Sequence, residues 1–177
     1  MKRLSLLVAA VLLAACAAFG PPAITLSRTD IAERAFIDRK ELDTAQFFKG
    51  LQGIAISGPD VGFQLGAQRI EFTWTASLTD RPFGLPLSIR ATMSGRPVLN
   101  AQRNGIDLED ARVEEVRLPA IPFINLDTRQ MAQGGESLGT LPLLQFRPEE
   151  LNRDGIVYAP TTLSLASFGL HVGLSPK

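Results

Sequence analysis

Cysteine is almost absent: Cys16 is the only one among 177 residues, so no intramolecular disulfide can hold this fold. Histidine is as scarce. A metal centre normally gathers several His, Cys or acidic ligands, and His171 stands alone. It lies opposite the Phe168, Leu170, Val172 and Leu174 face of its strand, which predicts a solvent-facing ring. No nucleophile elbow accompanies it, and Gly50, Gly53 and Gly58 are not followed by the GK[ST] of a phosphate loop. Glu109-Asp110 and Glu114-Glu115 lack the alternating oxygen ligands and turn glycine of a calcium loop, so they read as a solvated strand face and turn. These absences predict a non-enzyme with no cofactor and no metal. Internal repeats and low-complexity tracts are also missing, and no apolar run is long enough to cross a bilayer.

The longest such run does have a meaning. Lys2 and Arg3 precede a mostly apolar stretch, residues 4–13, which is the order of an export signal. Leu13-Ala14-Ala15-Cys16 then puts the single cysteine behind two small residues, and the segment resembles the signal of bacterial lipoproteins. That resemblance implies a diacylglyceryl thioether on Cys16, cleavage before it, and acylation of the new amino group. Several acyl chains, at about 0.8 kcal/mol per buried CH2, make such an anchor effectively permanent.

Cleavage would remove Lys2 and Arg3, leaving 16 Lys and Arg against 18 Asp and Glu. The balance of about −2 disfavours nucleic acid as a partner and a basic clamp on a membrane surface. The expected organisation is a signal peptide at 1–15, an acylated cysteine and short tether at 16–23, and one domain at 24–177. The tether carries Pro21-Pro22, and at roughly 3.3 Å per residue its positions 17–23 reach only about 23 Å. The domain must therefore work beside its own membrane.

Within the domain the clearest pattern runs from Arg69 to Thr79, where Ile70, Phe72, Trp74, Ala76 and Leu78 alternate with polar residues. After a turn at residues 80–84, Leu85, Leu87, Ile89, Ala91 and Met93 alternate in the same way, which predicts an antiparallel hairpin. Val61, Phe63, Leu65 and Ala67 repeat the pattern upstream. Downstream, Ile106 and Leu108 hold one phase, Ala111 and Val113 the other, and Val116 and Leu118 return to the first. Such slips predict β-bulges. Leu163 and Leu165 are followed by Phe168, Leu170, Val172 and Leu174 with a further phase change at Ala166-Ser167.

Helix is expected from Ser27 or Asp30, with Asp30 and Glu33 as a capping box and Ile31, Ala35, Leu42 and Ala45 as an inner stripe. Shorter segments are expected over residues 128–133, capped by Asp127, and at Pro148-Glu149-Glu150-Leu151. The fold class is therefore α+β, with long, curved strands.

The chain resembles the YceB-like family of bacterial lipoproteins. The resemblance rests on the segment ending at Cys16, on Ile24-Thr25-Leu26-Ser27 leading into Thr29-Asp30-Ile31, on Gly95-Arg96-Pro97-Val98-Leu99, and on Gly105-Ile106-Asp107-Leu108-Glu109-Asp110. It implies a highly curved antiparallel β-sheet wrapped around a helix, similar to the tubular lipid-binding domains of the bactericidal permeability-increasing protein type. Where family members carry a long helix after the central strands, this chain has Leu118-Pro119-Ala120-Ile121-Pro122-Phe123.

The expectation that follows is a membrane-anchored periplasmic lipoprotein with an apolar groove for a lipid or other hydrophobic molecule, lined by Phe63, Ile70, Phe72, Trp74, Leu87, Ile89 and Met93. Each of these residues serves equally well as plain core. The proline-broken residues 118–124, with Leu138, Leu141, Leu143, Leu144 and Phe146, form the groove's mouth, a surface that dips into lipid headgroups, or a cover over one end of the core. The alternative function is an envelope adaptor that holds a protein partner or a second copy by a sheet edge or by the surface of residues 118–124. Ala17 after Cys16 resembles an outer-membrane sorting signal and points to the periplasmic face of that membrane.

Overall fold

The computed structural model describes residues 22–35, 55–79, 86–117 and 134–177. In chain order these form β1 (Ala23–Leu26), α1 (Arg28–Arg34), β2 (Ala55–Gln64), a 3-10 turn (Leu65–Ala67), β3 (Arg69–Thr79), β4 (Pro86–Asn100) and β5 (Gly105–Arg117). There follow β6 (Ser137–Gln145), α2 (Pro148–Leu151), β7 (Asn152–Arg153), β8 (Ile156–Ala166) and β9 (Gly169–Pro176). The strands build two antiparallel sheets, ordered β2-β3-β4-β5-β6 and β1-β9-β8-β7, and one of the two is a half-barrel.

This architecture is mostly β and corrects the expected α+β fold of a sheet wrapped around a helix. The physical reason lies in what covers the apolar faces. Ile24 and Leu26 of β1 and Leu170, Val172 and Leu174 of β9 join the same buried cluster as Phe72, Trp74, Ile89, Met93, Ile106 and Leu108. Sheet is thus buried against sheet, the arrangement that lets two one-sided sheets share a core. Helix α1 contributes only Ile31 before the chain leaves helical space at Ala35, at φ −60 and ψ 132. Leu42, Ala45 and the expected helix at 128–133 lie outside the described residues.

The capping box also sits one turn earlier than expected. Ser27 is the N-cap, its hydroxyl accepting from the Asp30 amide at 3.2 Å while Asp30 Oδ2 accepts from the Ser27 amide at 2.8 Å. Arg34, at the other end of α1, reaches across to donate to Glu150 Oε1 and Oε2 at 2.7 and 3.0 Å and to the Gln145 carbonyl at 2.9 Å. One guanidinium therefore fastens α1 to the end of β6 and to α2, and its planar fork suits the two-point grip on a carboxylate.

The central hairpin forms as expected, with Phe72 opposite Met93, Trp74 opposite Ala91 and Ala76 opposite Ile89. Both phase slips of β5 are bulges. Against β4 the register jumps between Thr92 and Met93, which leaves Glu114 as the extra residue, and again between Ser94 and Arg96, where Asp110 takes a left-handed φ of 48. The upstream alternation ends sooner than expected, because Leu65–Ala67 is a 3-10 turn and not strand. The C-terminal phase change is no bulge in one strand: it is the Ser167-Phe168 turn between β8 and β9. Gly169, just after that turn, is needed for close approach, since a Cβ there would overlap the Leu26 carbonyl oxygen of β1.

Candidate functional site

The sequence-derived groove residues fall mainly in the closed interior. Ile70, Phe72, Trp74, Ile89 and Met93 are all at most 3% exposed, on the shared inner face of β3 and β4. Phe72 and Trp74 stack at 6.0 Å between ring centroids. Phe63 is half-buried, with the Arg28 guanidinium 5.2 Å from its ring centroid. Leu87 pairs with Leu78 in the ladder, its side chain and Cys16 lying outside the described residues. Of the candidate cover, Leu143, Leu144 and Phe146 are buried core and Leu138 and Leu141 pack against it. Residues 118–124 are outside the described residues.

A polar node that sequence reasoning missed sits at the bulges of β5. Arg69, buried at the head of β3, donates from Nε to Ser94 Oγ at 2.8 Å and from Nη1 to Asp110 Oδ2 at 2.7 Å. Its Nη2 donates to the Ser94 and Asp110 carbonyls at 3.2 and 2.6 Å. The Ser94 hydroxyl in turn donates to Glu114 Oε1, which also accepts from Arg112 Nε at 2.9 Å.

The Arg69 hydrogen bond and charge hold the Asp110 carboxyl below its usual range. The Ser94 hydroxyl holds Glu114 low against the opposing effect of burial, with Arg112 assisting. Such a weakened base does not activate Ser94, whose side chain is wholly buried and out of reach of substrate. The node fixes the bulges in place. The acids expected to form only a solvated face thus include two with structural partners, and the signal that could have found them is the phase slip itself.

His171 is likewise more engaged than expected. It does lie opposite the Leu170, Val172 and Leu174 face, yet it is half-buried, joined through Nδ1 to Thr25 Oγ1 at 3.1 Å and set edge-on to Phe168 at 4.7 Å. Phe168 belongs to the turn, 63% exposed, and not to the inner face. Among the described residues no group of three or more His, Cys, Asp or Glu is placed to hold a metal ion.

A ligand-sized concavity opens at one end of the molecule. The β4–β5 turn supplies Arg103 and Asn104, the end of β6 leads into Phe146, and α2 supplies Pro148 and Leu151. Val157 and Tyr158 of β8 and the Lys177 side chain close the far wall. The cleft holds about 490 Å³, within the range typical of small-molecule sites. Phe146, Leu151 and Pro148 give the cleft an apolar floor, and Arg103 and Lys177 bring basic side chains to its lining. Asp107 stands 3.6 Å from Arg103. Phe146 is fixed there by its amide, which donates to the Asn104 carbonyl at 2.9 Å. Of the residues offered for the groove or its mouth only Phe146 lines this cleft, because its walls come from turns and element ends, which carry no periodicity.

No helix among the described residues is long and apolar enough to cross a membrane. No family model, curated protein or solved structure matches the chain.

Proposed function

We propose that this chain is a non-enzymatic periplasmic lipoprotein, anchored to the outer membrane through acylated Cys16, that binds a hydrophobic molecule with an anionic head in the cleft between α2, β8 and the β4–β5 turn. The observation that carries the ligand part is the cleft's division of labour, an apolar floor beside Arg103 and Lys177. An acyl chain or similar body is stabilised by burial on Phe146, Leu151 and Val157, and a carboxylate or phosphate by the two cations. The observation behind the anchor is the order of charge, apolar run and small residues that ends at Cys16.

Native mass spectrometry of the full mature chain, extracted from membranes in mild detergent, tests both parts separately. The expected spectrum has an N-terminal acylated Cys16 and a second series heavier by one bound amphiphile, and the second series is lost in Val157→Trp, which fills the cleft from an exposed position. An unacylated mass beginning at Met1 would refute the anchor. A single apo series from the acylated chain would refute ligand binding.

A further inference from the structure

The end of the molecule that holds the cleft is also where the chain departs towards Cys16. The Pro22 carbonyl accepts from the Leu174 amide at 2.9 Å, and Ala23 stands opposite Gly173. Arg153 Nη2 donates to the Ala23 carbonyl at 3.1 Å, which ties the start of β1 to the β7–β8 hairpin. Across that hairpin Arg153 faces Ile156, and the turn between them, Asp154-Gly155, takes φ of 54 and 78 at its two residues. Paired positive φ values are what a two-residue hairpin turn requires, so the tip is a short, firmly shaped projection.

That projection is apolar. Ile156 and Val157 are 47% and 48% exposed. Consecutive strand residues face opposite sides, so the tip shows water an apolar group on both of its faces. Folding it down onto the protein would hide one face and leave the other wet. Arg153 and Asp154 of the hairpin are exposed, as is Lys177, whose amide donates to the Val157 carbonyl at 2.9 Å.

Covalent geometry supplies the occupant. Five residues separate Cys16 from Pro22, and the six steps between them span about 20 Å when extended. Given acylated Cys16, the surface around Pro22 is therefore held within about 20 Å of the bilayer. Phe168 lies at the opposite end of the β8–β9 hairpin.

We infer that the β7–β8 tip is a membrane-docking wedge: Ile156 and Val157 enter the phospholipid headgroup layer while Arg153 meets a lipid phosphate. The inference rests on the reading of Cys16 as the acylated anchor, and it is independent of whether the cleft holds a ligand. Apolar groups at such an interface settle about 5–10 Å into the headgroup and acyl boundary. Docking there turns the mouth of the cleft, which Val157 itself lines, towards the lipid surface.

The test uses the full acylated chain, in which Cys16 is consumed and an introduced thiol is unique. Ile156→Cys and, separately, Phe168→Cys are labelled with an environment-sensitive fluorophore and placed in vesicles of phosphatidylethanolamine and phosphatidylglycerol. The label at 156 is expected to lose emission to a lipid-borne nitroxide and to be protected from aqueous iodide, and the label at 168 to behave in the reverse way. If both labels respond alike while the chain floats with the vesicles, the wedge is refuted and the anchor stands. Protection of 156 from iodide without quenching by the lipid nitroxide assigns the tip to a protein surface and also overturns the proposal. An unacylated mass, with no flotation of the wild-type chain, removes the anchor and the wedge together.

Discussion

Arg69 directs its guanidinium at the two strand positions where β4 and β5 fall out of step, Ser94 and Asp110. A bulge leaves backbone groups unpaired, and two of the carbonyls there, those of Ser94 and Asp110, find their donor in Nη2 of this one side chain. Arg69→Met keeps the apolar stem and removes every donor. It is expected to lower stability by about 1–3 kcal/mol in urea denaturation, because buried acceptors lose their partners. Arg69→Lys should recover only part of that loss, since an ammonium cannot match the guanidinium's fixed fork to two side chains and two carbonyls at once. Equal stability of wild type and Arg69→Met would show that the bulge holds itself. In the sequence Arg69 is only one polar member of an alternating strand, so its role could not be found there. Its partners lie 25 and 41 residues away, and only the bulges bring them to it.

The elements were legible where a repeat is long and local. β3 and β4 show period-two alternation over most of their length, and the side of each residue follows directly from it. The bulges in β5 were equally readable, as a slip of one residue exchanges the two faces. A turn and a bulge leave the same trace in a phase pattern, however, so the Ser167-Phe168 turn was read as an irregular strand. β1 and β7, of four and two residues, are too short to show any period. What escaped altogether was the sorting of strands into two sheets, which depends on partners far apart in the chain.

The tightest of these distant pairings is that of β1 and β9, where Gly169 admits the Leu26 carbonyl. Gly169→Ala is expected to cost about 1–3 kcal/mol through overpacking against backbone that cannot rotate away. Hydrogen exchange should locate the damage, with the amides of residues 24–26 losing protection before those of β3 and β4. Uniform loss across both sheets would count against this local account.

Among the described residues four partnered carboxyls, those of Asp30, Asp110, Glu114 and Glu150, are held below their ordinary range. Asp30 is held low by the Ser27 hydroxyl and amide, and Asp110 and Glu114 by the contacts at the bulge. Burial pushes Glu150 up, but the Arg34 hydrogen bonds and the Arg147 amide outweigh it and leave it below its ordinary value. A carboxylate whose folded value lies below its unfolded one, about 4, adds stability that is complete above that pH and is lost as pH falls through the folded value. Thermal midpoints are therefore expected to be level from about pH 5 to 7 and to fall below about pH 4, with a shallower fall in Glu150→Gln. A midpoint at pH 3 equal to that at pH 7 would overturn this.

The β1–β9 ladder sets a timetable as well as a shape. Thr25 and His171 stand 146 residues apart in the chain and meet side by side. A strand made among the first waits for one made among the last, and closing so long a loop is slow. Until β9 arrives, Ile24 and Leu26 have no ladder to join, and the part of the core formed by Leu170, Val172 and Leu174 does not yet exist. The strand that opens the described fold is thus among the last to settle, and until it does the long central strands keep part of their apolar face uncovered.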